Sequence, residues 1–167
     1  SLAEPIRVGI VGIGHTGTAL LYQCGVTPGI RCVGAADINV QKAVDACLAL
    51  TQDFEVVTAG GGLEDAIAAG KVAVCGDADL LARCESMDVL IEASSSVKAG
   101  ARYAMAALDR GTHVVMMNAE ADLAFGPHLM RLAHRNGVVY TSCDGDQPGV
   151  LARLVHDIQL WGFELVM

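Results

Sequence analysis

Short apolar runs alternate with helix-like stretches of roughly ten residues along this chain, and that alternation constrains the fold more than any other feature. The first run, Ile6-Arg7-Val8-Gly9-Ile10-Val11, is largely apolar on both faces, as a strand buried in a parallel sheet should be. Further strands are expected at 31–36, 55–57, 72–75, 88–92, 113–117 and 138–141. Helices are expected between them, at 16–24, 40–50, 63–69, 78–84 and two longer stretches, with a last one at 150–160. In the 40–50 segment Val40, Val44, Cys47 and Leu48 share one helical face. Val97, Ala101, Ala104, Met105 and Leu108 mark a second buried stripe, closed by Gly111 where a helix C-terminal glycine belongs. A third helix buries Leu129, Leu132 and Ala133 and turns Arg131, His134 and Arg135 to water. Gly60-Gly61-Gly62 reads as a flexible break. Strands joined by helices imply right-handed crossovers and a mainly parallel sheet with helices on both faces.

The turn after the first strand carries the strongest chemical signal. Gly12-Ile13-Gly14-His15-Thr16-Gly17 fits G-x-G-x-x-G, and Asp37 follows twenty positions beyond Gly17, at the end of the second strand. That spacing belongs to a dinucleotide-binding unit of the Rossmann type, an α/β doubly wound fold. Gly12 permits the tight turn, Gly14 lets the backbone approach a pyrophosphate, and Gly17 lets the helix pack closely on the strand. The helix start then offers free N–H groups and positive partial charge to the phosphates. Asp37 accepts from two ribose hydroxyls and repels a 2′-phosphate, which favours NAD over NADP. If Asp37 rotated outward, Asn39 and Lys42 would be left to meet a phosphate. His15, inside the turn, could cover the cofactor with its ring.

Composition narrows the remaining classes. Apolar residues make up 53% of the 167 positions, enough for the core of one domain, expected over residues 1–160. Eleven Lys and Arg stand against 19 Asp and Glu, a balance of −8 that works against nucleic acid or an anionic membrane as partner. No apolar run reaches the length of a membrane span and no leader pattern opens the chain, which points to the cytoplasm. Cys24, Cys32, Cys47, Cys75, Cys84 and Cys143 have no metal-finger spacing, and the histidines show no zinc-ligand pattern, so no bound zinc is expected. The thiols read as small buried side chains in a reducing compartment.

Three later loops leave C-terminal strand ends, where open α/β sheets bind their ligands. Ser94, Ser95 and Ser96 either hold the cofactor's ribose or phosphate or cap the next helix. Asn118, Glu120 and Asp122 follow the 113–117 strand, and Asp144, Asp146 and Pro148 follow the strand near Ser142. These carboxylates gather at one rim, where one keeps a proton as general acid, or the group holds a hard divalent cation, or they cap helices and face solvent. Glu120, Asp144 and Asp146 are the candidates for substrate or metal contact.

Two stretches carry a family resemblance: Val114-Val115-Met116-Met117-Asn118-Ala119-Glu120-Ala121-Asp122 and Cys143-Asp144-Gly145-Asp146-Gln147-Pro148-Gly149-Val150. Asp65-Ala66-Ile67-Ala68-Ala69-Gly70-Lys71 and Leu80-Leu81-Ala82-Arg83 support them. Together they resemble the N-terminal domain of the homoserine-dehydrogenase-like NAD(P) oxidoreductases. The nearer branch is that of deoxyxylulose-phosphate-reductoisomerase-like proteins with a SAF-type domain. The resemblance implies a cofactor site at Gly12, Gly14, His15, Thr16, Gly17 and Asp37, with Ser94, Ser95 and Asn118 along the nicotinamide half and Pro148 beside the nicotinamide. It implies hydride transfer to a small hydroxy or keto substrate, sugar phosphates included; the branch's own activity reduces deoxyxylulose phosphate with NADPH. Homoserine dehydrogenases carry Asn-Lys where this chain has Asn118 and Ala119, and a carboxylate, Glu120, follows. That departure argues against homoserine itself. Residues 161–167 resemble the start of a catalytic domain that would supply substrate contacts and a homo-oligomer interface. The reading of a different class is a non-catalytic NAD(H)-sensing domain.

Overall fold

The computed structural model describes residues 4–143 and 147–166. Seven strands alternate with seven helices: β1 (Ile6–Val11), α1 (His15–Val26), β2 (Ile30–Ala36), α2 (Val40–Ala49), β3 (Phe54–Val56), α3 (Gly60–Ala68) and β4 (Val72–Cys75) come first. They are followed by α4 (Ala78–Ala82), β5 (Val89–Glu92), α5 (Val97–Asp109), β6 (His113–Met116), α6 (Ala119–Asn136), β7 (Tyr140–Ser142) and α7 (Gln147–Leu160). The strands form one sheet in the order β3-β4-β2-β1-β5-β6-β7, and every neighbouring pair is parallel. The expected doubly wound α/β architecture is therefore the observed one. Its order reverses between β1 and β5, and their loops part there at the C-terminal edge, leaving a crevice.

Period-two alternation along the strands divides the core between the two faces. Val8 and Ile10 of β1, Cys32 and Ala35 of β2 and Val72 and Val74 of β4 pack with Leu21 and Cys24 of α1 and Ala43 and Cys47 of α2. Their neighbours Val11, Val33, Ala36, Ala73 and Cys75 join Leu63, Leu81, Leu108 and Leu129 from α3, α4, α5 and α6 on the other face. Each fully buried leucine of this kind contributes about 1.5–3 kcal/mol. Five of the six cysteines are buried, as the sequence implied. Burial pushes the Cys47 and Cys75 thiols up to about 11 and the Cys84 thiol up to about 12, so they serve as packing rather than as nucleophiles.

Some expectations are corrected. Gly60, Gly61 and Gly62 form the first turn of α3 rather than a flexible break, because burying Leu63, Ala66 and Ile67 outweighs glycine's poor helix propensity. Leu48 is 61% exposed; α2 turns the small residues Ala43, Ala46 and Cys47 inward, which brings it close to the sheet. The last strand begins at Tyr140, and the last helix already at Gln147. Gly111 does follow α5 in the left-handed region, with φ of +83°. Apolar side chains of α7 and the segment after it, Leu151, Leu154, Trp161 and Phe163 among them, are exposed, and residues 163–166 carry no regular structure. Among the described residues no helix is long and apolar enough to cross a membrane.

Candidate functional site

The glycine turn adopts the geometry its residues allow. Gly12 sits at φ +89°, and a Cβ there would lie 2.7 Å from the backbone of Ala93 and Ser94, so the turn nests directly against the loop after β5. A Cβ on Gly17 would run into the Gly12 carbonyl, which is how α1 starts so near the strand. Gly14 is the N-cap of α1, has no capping side chain, and has nothing within 4 Å of the position its Cβ would take. The start of α1 is therefore left without a side-chain cap, beside open space at Gly14. His15 and Thr16 are exposed in that first turn.

Asp37 lies half-buried just beyond β2. One carboxylate oxygen accepts the Ile13 N–H at 2.8 Å and the other accepts the Asn39 N–H at 2.9 Å. The acid thus braces the glycine turn, a role its spacing alone did not disclose, and each oxygen keeps a further lone pair. Gly12, Gly14 and Asp37 share one cavity of about 490 Å³ with Lys42, residues 76–79 at the start of α4, Ser94, Ser95, Ser96, Arg102 and Tyr103. Asp77 caps α4 by accepting the Asp79 N–H at 2.9 Å. Asp79 pairs with Arg102 at 2.7 Å, and that guanidinium lies 5.2 Å from the Tyr103 ring centre.

At the far side of the turn stand the three serines. All three line the cavity, and Ser96 also caps α5, accepting the Ala99 N–H at 3.4 Å. Asn118 caps α6 through the Ala121 N–H and donates its amide to the Ser94 carbonyl at 2.9 Å. Below them lies a group that pattern reading missed. Glu92, the last residue of β5, is fully buried, and one carboxyl oxygen accepts the Ser94 N–H at 3.0 Å while the other has no partner. Burial pushes this carboxyl above the usual glutamate range, against the pull of Ser94 and Asn118. The available signal was Gly100, eight positions on in the buried stripe of α5, where a Cβ would come within 2.6 Å of Glu92.

The expected carboxylate rim is only partly in view. Glu120 is exposed in the first turn of α6. Asp122 accepts the Tyr140 hydroxyl at 2.6 Å, and Gly126 leaves room for its carboxylate. Burial, then Asp122 itself, push the Tyr140 hydroxyl well above its usual range, so it stays a donor. Asp144 and Asp146 lie outside the described residues, as does the side chain of Pro148. Among the described residues no group of three His, Cys, Asp or Glu side chains is placed to hold a metal ion. A second cavity, of about 420 Å³, opens among the residues at the starts of β1, β5 and β6, but its charged walls are paired: Arg7 with Asp88 at 2.7 Å, and Arg110 with Glu85.

Comparison with known proteins gives the same picture. The family profile described as homoserine dehydrogenase, NAD binding domain, matches residues 12–141. No curated protein matches the sequence. Among solved structures, biliverdin reductase from Synechocystis sp. PCC 6803, in complex with biliverdin and NADP+, superposes with a TM-score of 0.67 at 18% identity, over 93% of this chain and 42% of its own. Scyllo-inositol dehydrogenase from Lactobacillus casei, with NAD(H) and scyllo-inositol bound, gives 0.67 at 17% identity, over 95% and 43%. A homoserine dehydrogenase from Thiobacillus denitrificans gives 0.61 at 23% identity, over 83% and 29%. At such identities the likeness is one of fold, and this chain spans less than half the length of each.

Proposed function

Since this chain belongs to the family of homoserine dehydrogenase NAD-binding domains, we propose that it is the cofactor-holding unit of an NAD(P)-dependent oxidoreductase acting on a small hydroxy or keto substrate. The observation that carries the reading is the meeting, in one cavity, of an uncapped helix start at Gly14 and a braced carboxylate at Asp37. The first suits a diphosphate and the second a ribose diol, and both are parts of a dinucleotide. A bound nicotinamide would supply or accept the hydride. The residues of this chain would bind and orient the dinucleotide: the start of α1 at the diphosphate, Asp37 through its remaining lone pairs at the ribose, and Ser94, Ser95 and Asn118 along the nicotinamide half.

The same geometry favours NAD over NADP. Turning Asp37 outward to admit a 2′-phosphate would break two hydrogen bonds to backbone N–H groups, of Ile13 and Asn39. Asp77 adds negative charge to the cavity wall beside Asp37, while Asp79 and Arg102 pair with each other and leave Lys42 as the remaining cation of the lining. A 2′-phosphate would therefore be repelled more than it is held. Glu120, with Asp144 and Asp146, is proposed to face the substrate or a divalent cation, and residues beyond this chain to complete the substrate pocket. Calorimetric titration of the 167-residue chain with NADH and NADPH tests the reading. NADH is expected to bind at least about tenfold tighter, a difference of about 1.4 kcal/mol. Absence of binding by either would remove the proposal.

A further inference from the structure

A carboxyl group with nothing to face is costly inside a protein, so its retention calls for a reason. Glu92 is 0% exposed, has one hydrogen-bonded oxygen and one bare one, and is paired with no Lys or Arg among the described residues. Its bare oxygen rests against Gly100 of α5, which has no side chain to displace it. Its bonded oxygen accepts the N–H of Ser94, whose carbonyl is held by Asn118. Both peptide groups flanking Ser94 are therefore clamped, one by the end of β5 and the other by the start of α6. The clamped segment also packs on Gly12 and lines the cavity. Asp37 lies on the β2 side of the glycine turn and Ser94 on the β5 side, so a dinucleotide with its adenosine ribose at Asp37 has its second half along Ser94.

We infer that Glu92 is a positioning residue: its buried carboxyl fixes the Ser94 peptide, and with it the wall against which the nicotinamide half of the cofactor is oriented. The inference rests on the cofactor-binding reading above, and two probes separate them. ADP-ribose occupies the glycine turn and Asp37 but lacks the nicotinamide, whereas NADH occupies both halves. Replacing Glu92→Leu removes the acceptor at similar size; Gly100→Ala keeps Glu92 and displaces its carboxyl by sterics alone. Both variants are expected to weaken NADH about tenfold while leaving ADP-ribose within about twofold of the parent chain. Glu92→Gln, which still accepts the Ser94 N–H, is expected to restore NADH affinity to within about threefold.

Equal losses for NADH and ADP-ribose would make Glu92 a general structural residue and overturn the inference, as would unchanged NADH binding or failure of Gln to rescue. If Glu92→Leu does not fold, Gly100→Ala and Glu92→Gln decide between the same outcomes. A parent chain that binds neither probe overturns the inference together with the cofactor reading; one that binds both, with no selective effect of the variants, overturns the inference alone.

Discussion

The Asp37 carboxylate accepts the Ile13 N–H at 2.8 Å, so the acid after β2 and the glycine turn after β1 are parts of one rigid unit. The acid has two tasks, shaping the turn and facing a ribose, and substitution disturbs both. Asp37→Asn leaves one acceptor oxygen where two N–H groups need one each. It is expected to weaken NADH by about tenfold or more, since a hydrogen bond to a charged group is worth about 1.5–3 kcal/mol. NADPH should lose less, because a repelling charge leaves with the bond, so the NADH/NADPH affinity ratio falls. A ratio that stays put in paired titrations would take Asp37 out of cofactor discrimination.

Gly12 and Gly14 stand two residues apart and should respond oppositely. Gly12 has positive φ and a wall of backbone 2.7 Å from any added Cβ, so Gly12→Ala is expected to lower the thermal midpoint by several degrees, in line with a cost of about 1–3 kcal/mol. Gly14 has ordinary backbone angles for a helix cap and open space around it, so Gly14→Val should fold with a midpoint near the parent's. Its side chain would project where the diphosphate is expected, weakening ADP-ribose by at least about tenfold. Thermal melts and titrations of both variants check the split; loss of fold in Gly14→Val would mean that the space is not free.

Those positions were legible because backbone conformation restricts them. A turn that needs positive φ, or a helix that must touch a carbonyl, writes glycine into the sequence at fixed spacing, and Asp37 follows from the length of the crossover. Leu48 and Glu92 were not legible for the opposite reason. Apolar periodicity allows α2 to be rotated by one position, and only packing against β2 and β4 selects Ala43, Ala46 and Cys47 as the inner face. A glutamate closing an apolar strand looks like any solvated strand end. That it is buried follows from α5 approaching through Gly100, a contact between elements that no local pattern contains.

Asp122 is expected from sequence to join the carboxylate rim, yet it is spoken for by Tyr140 at 2.6 Å. Tyr140→Phe should therefore destabilise the fold, by about 1–3 kcal/mol if the Asp122 oxygen is left without a donor. Cofactor affinity should stay within about twofold, because neither residue lines the cavity. Denaturant unfolding and NADH titration of the variant measure the two quantities. A large loss of NADH affinity at unchanged stability would return Asp122 to the functional site.

Glu92 also gives the fold a pH dependence of definite sign. Burial raises its carboxyl pKa in the folded state, so the native chain binds the proton more tightly than the unfolded chain does. The stabilising contribution of the neutral carboxyl is fully present below the unfolded value, about 4.3, and is lost as pH rises through the raised folded value. Glutamine keeps the acceptor for Ser94 and carries no proton to lose. The stability of Glu92→Gln relative to the parent should therefore improve between about pH 5 and about pH 8, the parent being penalised only where its carboxylate must ionise in a dry site. Paired urea titrations at the two pH values measure this difference directly. A stability difference that does not change with pH would mean that the carboxyl titrates alike in the folded and unfolded chain, and that water reaches a group placed here in the interior.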